Sequence, residues 1–486
     1  MTEYTPKNLV VIMADEHNRQ SLGCYGHPFV ETPNLDRLAQ SGTRFTAAYT
    51  PSPICVPARA SFATGKPVHE IRKWDNAHPF DGTQDNWHRR LRDAGHHVQS
   101  IGKLHFRGGE DEDNGFTEST IPMNVVDGMG DVLGLIRDRS VVRGAADKMA
   151  RLAGPGESAY TAYDREISSR AQTWLRQNAQ DHADKPWVLF VSFVSPHFPL
   201  TAPAEYFHRY AHRPMPRPKL YGDSERPDHP YLRDYAETFE YDAHFETDAD
   251  VRRGQAGYLG LCSFIDDQVG HIMTAIEAAG LQDETRIVYT SDHGDNQGAR
   301  GLWGKSTMYE ESVGVPLIVS GPDIPRAKVH DAPRSLIDLS RFILQSTGCD
   351  ADGFGEVDLL SENDAEVISE YHATGSKSAC YMLRWGQWKY VHYALYEPQL
   401  FDLKNDPEEL TDLAQDPAYQ DILNDSRARL EKHLNPDVTH QQAMEDQQAL
   451  ITKYGGVEAI MARGDFGFSP PPGVQANFAV SDKIKT

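Results

Sequence analysis

The sequence contains no apolar run approaching the roughly 20 residues that a bilayer-spanning helix requires, so a helical membrane protein is not expected. Its first apolar stretch, Leu9–Ala14, is short, follows polar residues and has no small-residue cleavage site behind it. That stretch reads as a buried strand rather than a signal peptide. Cysteine is scarce: Cys24, Cys55, Cys262, Cys349 and Cys380 are scattered through 486 residues with no paired spacing. Such usage argues against a disulfide framework or a zinc site and predicts a reducing, cytoplasmic compartment. Positive charge is also in short supply, with 48 Lys and Arg against 71 Asp and Glu and a formal net charge of −23. A surface of that sign repels nucleic-acid phosphates and anionic lipid, so neither is expected as a partner. It repels small anions at long range as well. Any anion site must therefore be a local cluster of Lys, Arg, His and metal. There is no internal repeat and no low-complexity segment.

What is present is an alternation of strand-length apolar runs with amphipathic stretches of helix length. This predicts an α/β fold, a large and mainly parallel sheet sandwiched by helices. Strands are predicted at Asn8–Ala14, His97–Ile101, Trp187–Phe193, Arg286–Thr290 and Val315–Ser320. Helices are predicted at Thr32–Gln40, Pro57–Thr64, Thr161–Asn178, Gly257–Ala279 and Pro333–Gln345. Past Glu362 four short strands (Val367–Tyr371, Ala379–Leu383, Trp388–Tyr393, Gln399–Asp402) and the helix-like Pro417–Leu434 predict a small antiparallel α+β unit. The expected organisation is a catalytic domain over 1–365, the small domain over 366–435 and a tail over 436–486. The tail carries Ser469–Pro470–Pro471–Pro472–Gly473 and is expected to form little regular structure. It would drape over the body, contact the active site, or reach a neighbouring subunit of a homo-oligomer.

The most informative segment is Cys55–Val56–Pro57–Ala58–Arg59, followed after four residues by Thr64–Gly65. Pro57 suits the first turn of a helix, which puts Cys55 at an N-terminus where free N–H groups and the helix dipole favour an anion. Arg59 is placed to return to that end and hold the group in position. A thiolate phosphatase would need arginine six residues after the cysteine, and that position is Ser61. Asp15–Glu16 directly follows the first strand, where paired acids face the crevice in which α/β enzymes bind ligands. A hard divalent cation would relieve their mutual repulsion.

The Cys-x-Pro-x-Arg…Thr-Gly segment resembles the signature of the formylglycine-dependent sulfatases of the alkaline phosphatase superfamily. The resemblance runs from about Asn8 to Ala414, and its flavour is that of the choline-sulfatase-like and arylsulfatase-like branch. It implies that Cys55 is oxidised by a formylglycine-generating enzyme to an aldehyde that hydrates to a geminal diol. It also implies that Asp15, Asp292, His293 and an oxygen of modified Cys55 bind one divalent metal (Ca²⁺, Mn²⁺ or Mg²⁺), with Glu16 a further ligand. Three more segments match, supplying Lys103 and His105, His197, and Lys305; together with Arg59 these form the expected positive cluster. Asn76, in Asp75–Asn76–Ala77, is expected to contact sulfate by the same likeness. The implied reaction is attack on a small-molecule sulfate ester, with Lys103 and Lys305 offsetting charge on the sulfuryl oxygens. His197 or Lys305 would assist the leaving oxygen, and His105 would act as the base that frees sulfate. A phosphonate monoester or phosphodiester hydrolase on the same scaffold is the alternative. Trp74, Trp303, Trp385, Tyr393 and Tyr396 are candidates to line a leaving-group pocket.

Overall fold

The computed structural model describes residues 4–109, 112–137 and 141–479. Eight strands form one mixed sheet: β1 (Asn8–Asp15), β2 (Gly42–Phe45), β3 (Val98–Lys103), β4 (Glu118–Met123), β5 (Val188–Pro196), β6 (Thr285–Ser291), β7 (Leu317–Ser320) and β8 (Lys328–His330). Their spatial order is β8-β2-β7-β6-β1-β5-β3-β4. Strands β6, β1, β5, β3 and β4 are mutually parallel, and β7 runs antiparallel to both of its neighbours. The predicted class, a mainly parallel sheet between helices, is the one observed.

The alternation of side chains along β1 explains the two cores. Leu9, Val11 and Met13 pack with Phe62, Leu339 and Phe342 on one face. Val10, Ile12 and Ala14 pack with Ile167, Phe264 and Ile265 on the other. Helices α1 (Pro33–Ser41), α2 (Cys55–Thr64), α3 (Ala159–Gln177), α4 (Asp248–Ala278) and α5 (Leu336–Thr347) supply these partners. Continuous apolar strands are what a sheet covered on both faces requires. Helix α4 begins at Asp248 rather than at the predicted Gly257. Thr247 and Asp250 form a reciprocal capping box there. The glycines that weaken a local helix forecast are needed for packing: a Cβ on Gly257 would lie 2.2 Å from the Leu200 carbonyl oxygen.

The small domain is a four-stranded antiparallel sheet in chain order, Val367–Tyr371, Cys380–Trp385, Trp388–Tyr393 and Gln399–Asp402. Helix α6 (Gln420–His433) packs on it through Leu430. A buried charge network ties this sheet to connecting segments of the large domain. Lys389 reaches Glu310 at 3.0 Å and Glu409 at 2.7 Å, and Glu310 also pairs with Arg19. Replacing Glu310 with alanine leaves Arg19 buried without a carboxylate partner among the described residues. Denaturant unfolding is expected to show a loss of about 3–5 kcal/mol.

The expectation of an irregular tail requires correction. Residues Pro436–Lys453 form helix α7 and Val457–Arg463 form helix α8. Polar residues dominate α7, but Ala443, Gln447 and Ile451 are buried on one side of it, so tertiary packing stabilises a helix that composition does not advertise. Residues 464–479 then run over the body of the same chain, and 480–486 lie outside the described residues.

Candidate active site

Four neighbouring strands deliver their following residues to one edge of the sheet, because β6, β1, β5 and β3 are parallel. Strand β1 ends at Asp15 and leads into Glu16, while β6 leads into Asp292 and His293. Strand β5 leads into His197, and β3 ends at Lys103 before His105. Gly294 lets the Asp292–His293 turn pass close to its neighbour, since a Cβ there would lie 2.0 Å from the Glu311 carbonyl oxygen. Cys55 is the first residue of α2, and the Val56 N–H at that helix end donates to Asn76 Oδ1 at 3.1 Å.

One ligating atom from each of Asp15, Cys55, Asp292 and His293 lies within 4.8 Å of the others, all of them buried. His293 Nδ1 bonds the Gly294 carbonyl at 3.0 Å, which makes it the N–H nitrogen and leaves Nε2 a lone pair. That Nε2 is 3.6 Å from Asp292 Oδ1 and 3.9 Å from Asp15 Oδ1. These separations are too long for hydrogen bonds and suit three donors sharing a cation. Two carboxylates and an imidazole fit a divalent ion, and an oxygen at position 55 would complete a donor set typical of hard cations. The carboxylate of Glu16 does not join this quartet. It groups instead with Asp15 and His197, 3.2 Å from His197 Nε2 and 3.1 Å from Lys305 Nζ. Glu16 Oε1 is buried with no partner among the described residues.

Arg59 does not hold Cys55 as expected. Its Nε donates to Asp292 Oδ2 at 2.8 Å and its Nη2 to Asp15 Oδ2 at 3.3 Å, while Nη1 reaches Ser192 Oγ and the Lys103 carbonyl. The guanidinium therefore lies behind the two acids and orients them. Lys103 is buried with its ammonium against Asp15 and does not reach the cavity wall. Lys305 does line the cavity, with Nζ 3.2 Å from Cys55 Sγ. Burial works against the Lys305 charge, but Cys55, Glu16, Asp15 and Asp292 outweigh it and hold its pKa well above the ordinary lysine value.

In the neighbouring groups burial favours the neutral form. Burial pushes the Cys55 thiol up to about 12, and Asp15 adds to this, so the unmodified side chain is a thiol rather than a thiolate at neutral pH. Burial raises Glu16 to about 8, against the pull of Lys305. Burial and the Lys103 charge hold His105 well below the usual histidine range. Both ring nitrogens of His105 are buried without hydrogen-bond partners among the described residues.

These groups open into a cavity of about 80 Å³. Of the predicted residues, Glu16, Cys55, Asn76, His105, His197 and Lys305 line it. None of the five aromatic candidates does. Trp303 stacks on Phe245 in the core and Trp74 packs against His372. Trp385 lies under Arg429, and Tyr393 and Tyr396 surround His229 in the small domain. The aromatic wall comes instead from Phe198, Tyr235, Phe239 and Tyr241, and from Phe466 and Phe468 of the C-terminal segment. Phe198 is the one wall residue with a local signal, lying beside His197 in a recognised turn. The others carry none.

Comparison with known proteins agrees with this geometry. The family described as Sulfatase matches residues 7–349, and the family described as N-sulphoglucosamine sulphohydrolase, C-terminal, matches residues 298–435. Choline-sulfatase from Rhizobium meliloti (strain 1021) is 31% identical over 425 residues, covering 84% of this chain and 83% of that protein. Arylsulfatase K from Homo sapiens is 28% identical over 441 residues, covering 84% and 78%. The solved structure of a phosphonate monoester hydrolase from Agrobacterium radiobacter shares the fold at 22% identity and a TM-score of 0.70, covering 90% of this chain and 96% of that one. With the family match spanning most of the sequence and the signature cysteine meeting two acids and a histidine in space, the chain belongs to the sulfatase family and is a hydrolase of that family.

Proposed function

We propose that the protein hydrolyses small-molecule sulfate monoesters, using Cys55 oxidised to formylglycine by a maturation enzyme and one divalent cation held by Asp15, Asp292 and His293. The observation that carries this reading is the meeting of Cys55 Sγ, two carboxylates and His293 Nε2 within 4.8 Å, beside an ammonium group 3.2 Å from that sulfur. Formylglycine at position 55 would supply a hydrated aldehyde, with one hydroxyl for attack on sulfur and a second for release of sulfate. A cation held by Asp15, Asp292 and His293 would supply charge to lower the pKa of the attacking hydroxyl and offset the sulfuryl charge.

The chain's own residues do the rest. Lys305 offers its ammonium to oxygens of a sulfuryl group placed at position 55, where a preorganised charge in a water-poor site has its greatest effect. His105 is kept neutral and unpartnered, the state in which an imidazole accepts a proton from position 55. His197 donates from Nδ1 to the Phe198 carbonyl at 2.6 Å, which directs Nε2 toward Glu16 Oε2 at 3.2 Å and the cavity. Burial and the Lys305 charge hold the ring well below the usual histidine range, so it is the imidazolium favoured by a bound anionic ester that would donate from Nε2 to the departing oxygen. Asn76 holds the start of α2 and borders the same space. Arg59 and Lys103 act through the acids, keeping Asp15 well below the usual carboxylate range: burial raises Asp15, but Lys103, His197, Lys305 and Arg59 together outweigh it.

Phosphonate monoester hydrolysis is the second reading, because phosphonate hydrolases share this fold. Sulfate is favoured by the choline-sulfatase and arylsulfatase relatives. Comparing kcat/KM for an aryl sulfate and an aryl phenylphosphonate tests the choice. The aryl sulfate is expected to be the better substrate, and faster phosphonate turnover overturns it. Mass spectrometry of the Cys55 peptide, from a host able to make formylglycine, is expected to show the aldehyde in place of the thiol.

A further inference from the structure

The C-terminal segment after α8 is anchored at many points for a stretch with no helix or ladder of its own. Arg143 Nη2 donates to Asp465 Oδ1 at 3.0 Å, and the Ala145 N–H donates to Asp465 Oδ2 at 3.0 Å. Lys148 Nζ reaches the Phe466 carbonyl at 3.0 Å. Asp465 and Ala479 exchange two backbone hydrogen bonds, so the segment folds back on itself and pins its far end. Tyr160 Oη donates to the Ser469 carbonyl at 2.6 Å. All of these partners belong to the same chain.

The anchoring delivers two rings to the active-site cavity. Phe468 lies against Phe198 and Tyr160, with ring centroids 5.7 and 5.4 Å apart. Phe198 in turn stacks on His197 at 4.6 Å, the histidine assigned above to the leaving oxygen. Phe466 is buried and borders the same cavity. The segment therefore stands on the side where the alcohol or phenol of an ester must sit, not on the side of the acids. Size then decides what fits. The enclosed volume of about 80 Å³ in this partly open cavity is about half the roughly 150 Å³ that fully encloses one benzene ring, so a single ring fits only with its outer edge toward the mouth and a larger ring system meets the wall. A sulfuryl group beside Cys55 and Lys305 takes part of that space.

We propose that Gly464–Ser469 is the specificity wall of this site, with Phe466 and Phe468 confining the leaving group to a compact group no larger than a single ring and excluding fused-ring and polymeric sulfate esters. The proposal rests on the hydrolase reading above and adds the substrate class to it. The wall acts in cis, and its latch is the Asp465–Arg143 pair.

Phenyl sulfate and estrone 3-sulfate test this, since both release a phenol and differ chiefly in the rings behind it. The formylglycine-bearing wild type is expected to favour phenyl sulfate by about 100-fold or more in kcat/KM, and Phe466→Ala/Phe468→Ala to raise the estrone-to-phenyl ratio by about tenfold or more. Phe468 is half-buried, so the single variant Phe468→Leu provides a milder change, expected to move the ratio in the same direction if the double variant does not fold. Equal use of both esters by wild type, or an unchanged ratio in a folded variant, overturns the wall while leaving the hydrolase reading intact. Failure to cleave either ester overturns both.

Discussion

Cys55→Ala is expected to reduce sulfate-ester turnover by at least about 10⁴-fold while the protein stays folded. The side chain lost is small and borders the cavity, so stability should change by no more than about 1 kcal/mol. Activity falls because the attacking group is gone from a site where Lys305 Nζ lies 3.2 Å from Cys55 Sγ and His105 and His197 border the same cavity. Each of them retains a chemical capacity with nothing to act upon. Cys55→Ser separates the two halves of the reaction. Serine has a hydroxyl to attack with but no second one to expel sulfate, so rapid mixing should show at most one equivalent released per site and no steady state. Continued turnover by the serine variant would show that the second hydroxyl is unnecessary, and the formylglycine assignment would fall.

Arg59→Met is expected to destabilise the protein by about 3–5 kcal/mol in the presence of a chelator. Methionine keeps most of the volume but removes the charge that spans Asp292 and Asp15. Those acids would then face each other in a buried site with Lys103 and the more distant Lys305 opposing them. A divalent cation relieves the same repulsion, so added Ca²⁺ or Mn²⁺ should recover part of the lost stability, by the mass action of a ligand that binds only the folded state. Wild type, whose acids are already compensated by Arg59, should gain less from the same addition. Thermal melts of both proteins with chelator and with each metal measure this directly. Equal metal-induced shifts in the two proteins would place the cation away from Asp15 and Asp292.

Much of this site was legible along the chain. Asp15, Lys103, His197 and Asp292 each lie at or just past the end of an apolar run. When those runs form neighbouring parallel strands, their carboxyl ends share one edge. Local pattern therefore implied spatial convergence, and the small domain's strands Trp388–Tyr393 and Gln399–Asp402 occur at the predicted residues. Helix α7 was not legible because its amphipathic face is narrow and interrupted by polar residues. Arg59 was read through the helix it starts from, whereas its partners are acids on two strands distant in sequence.

By itself, then, the amino-acid order determined the fold class, the family signature around Cys55 and the set of chemical groups carried at the strand ends, because strand and helix periodicity and a motif at fixed spacing are properties of neighbours in the chain. The tertiary structure alone decided which cation serves which acid, that Glu16 faces Lys305 and His197 rather than the Asp292–His293 donors, and that Phe466 and Phe468 close the pocket. Those outcomes depend on contacts between residues hundreds of positions apart, whose energies no local pattern encodes.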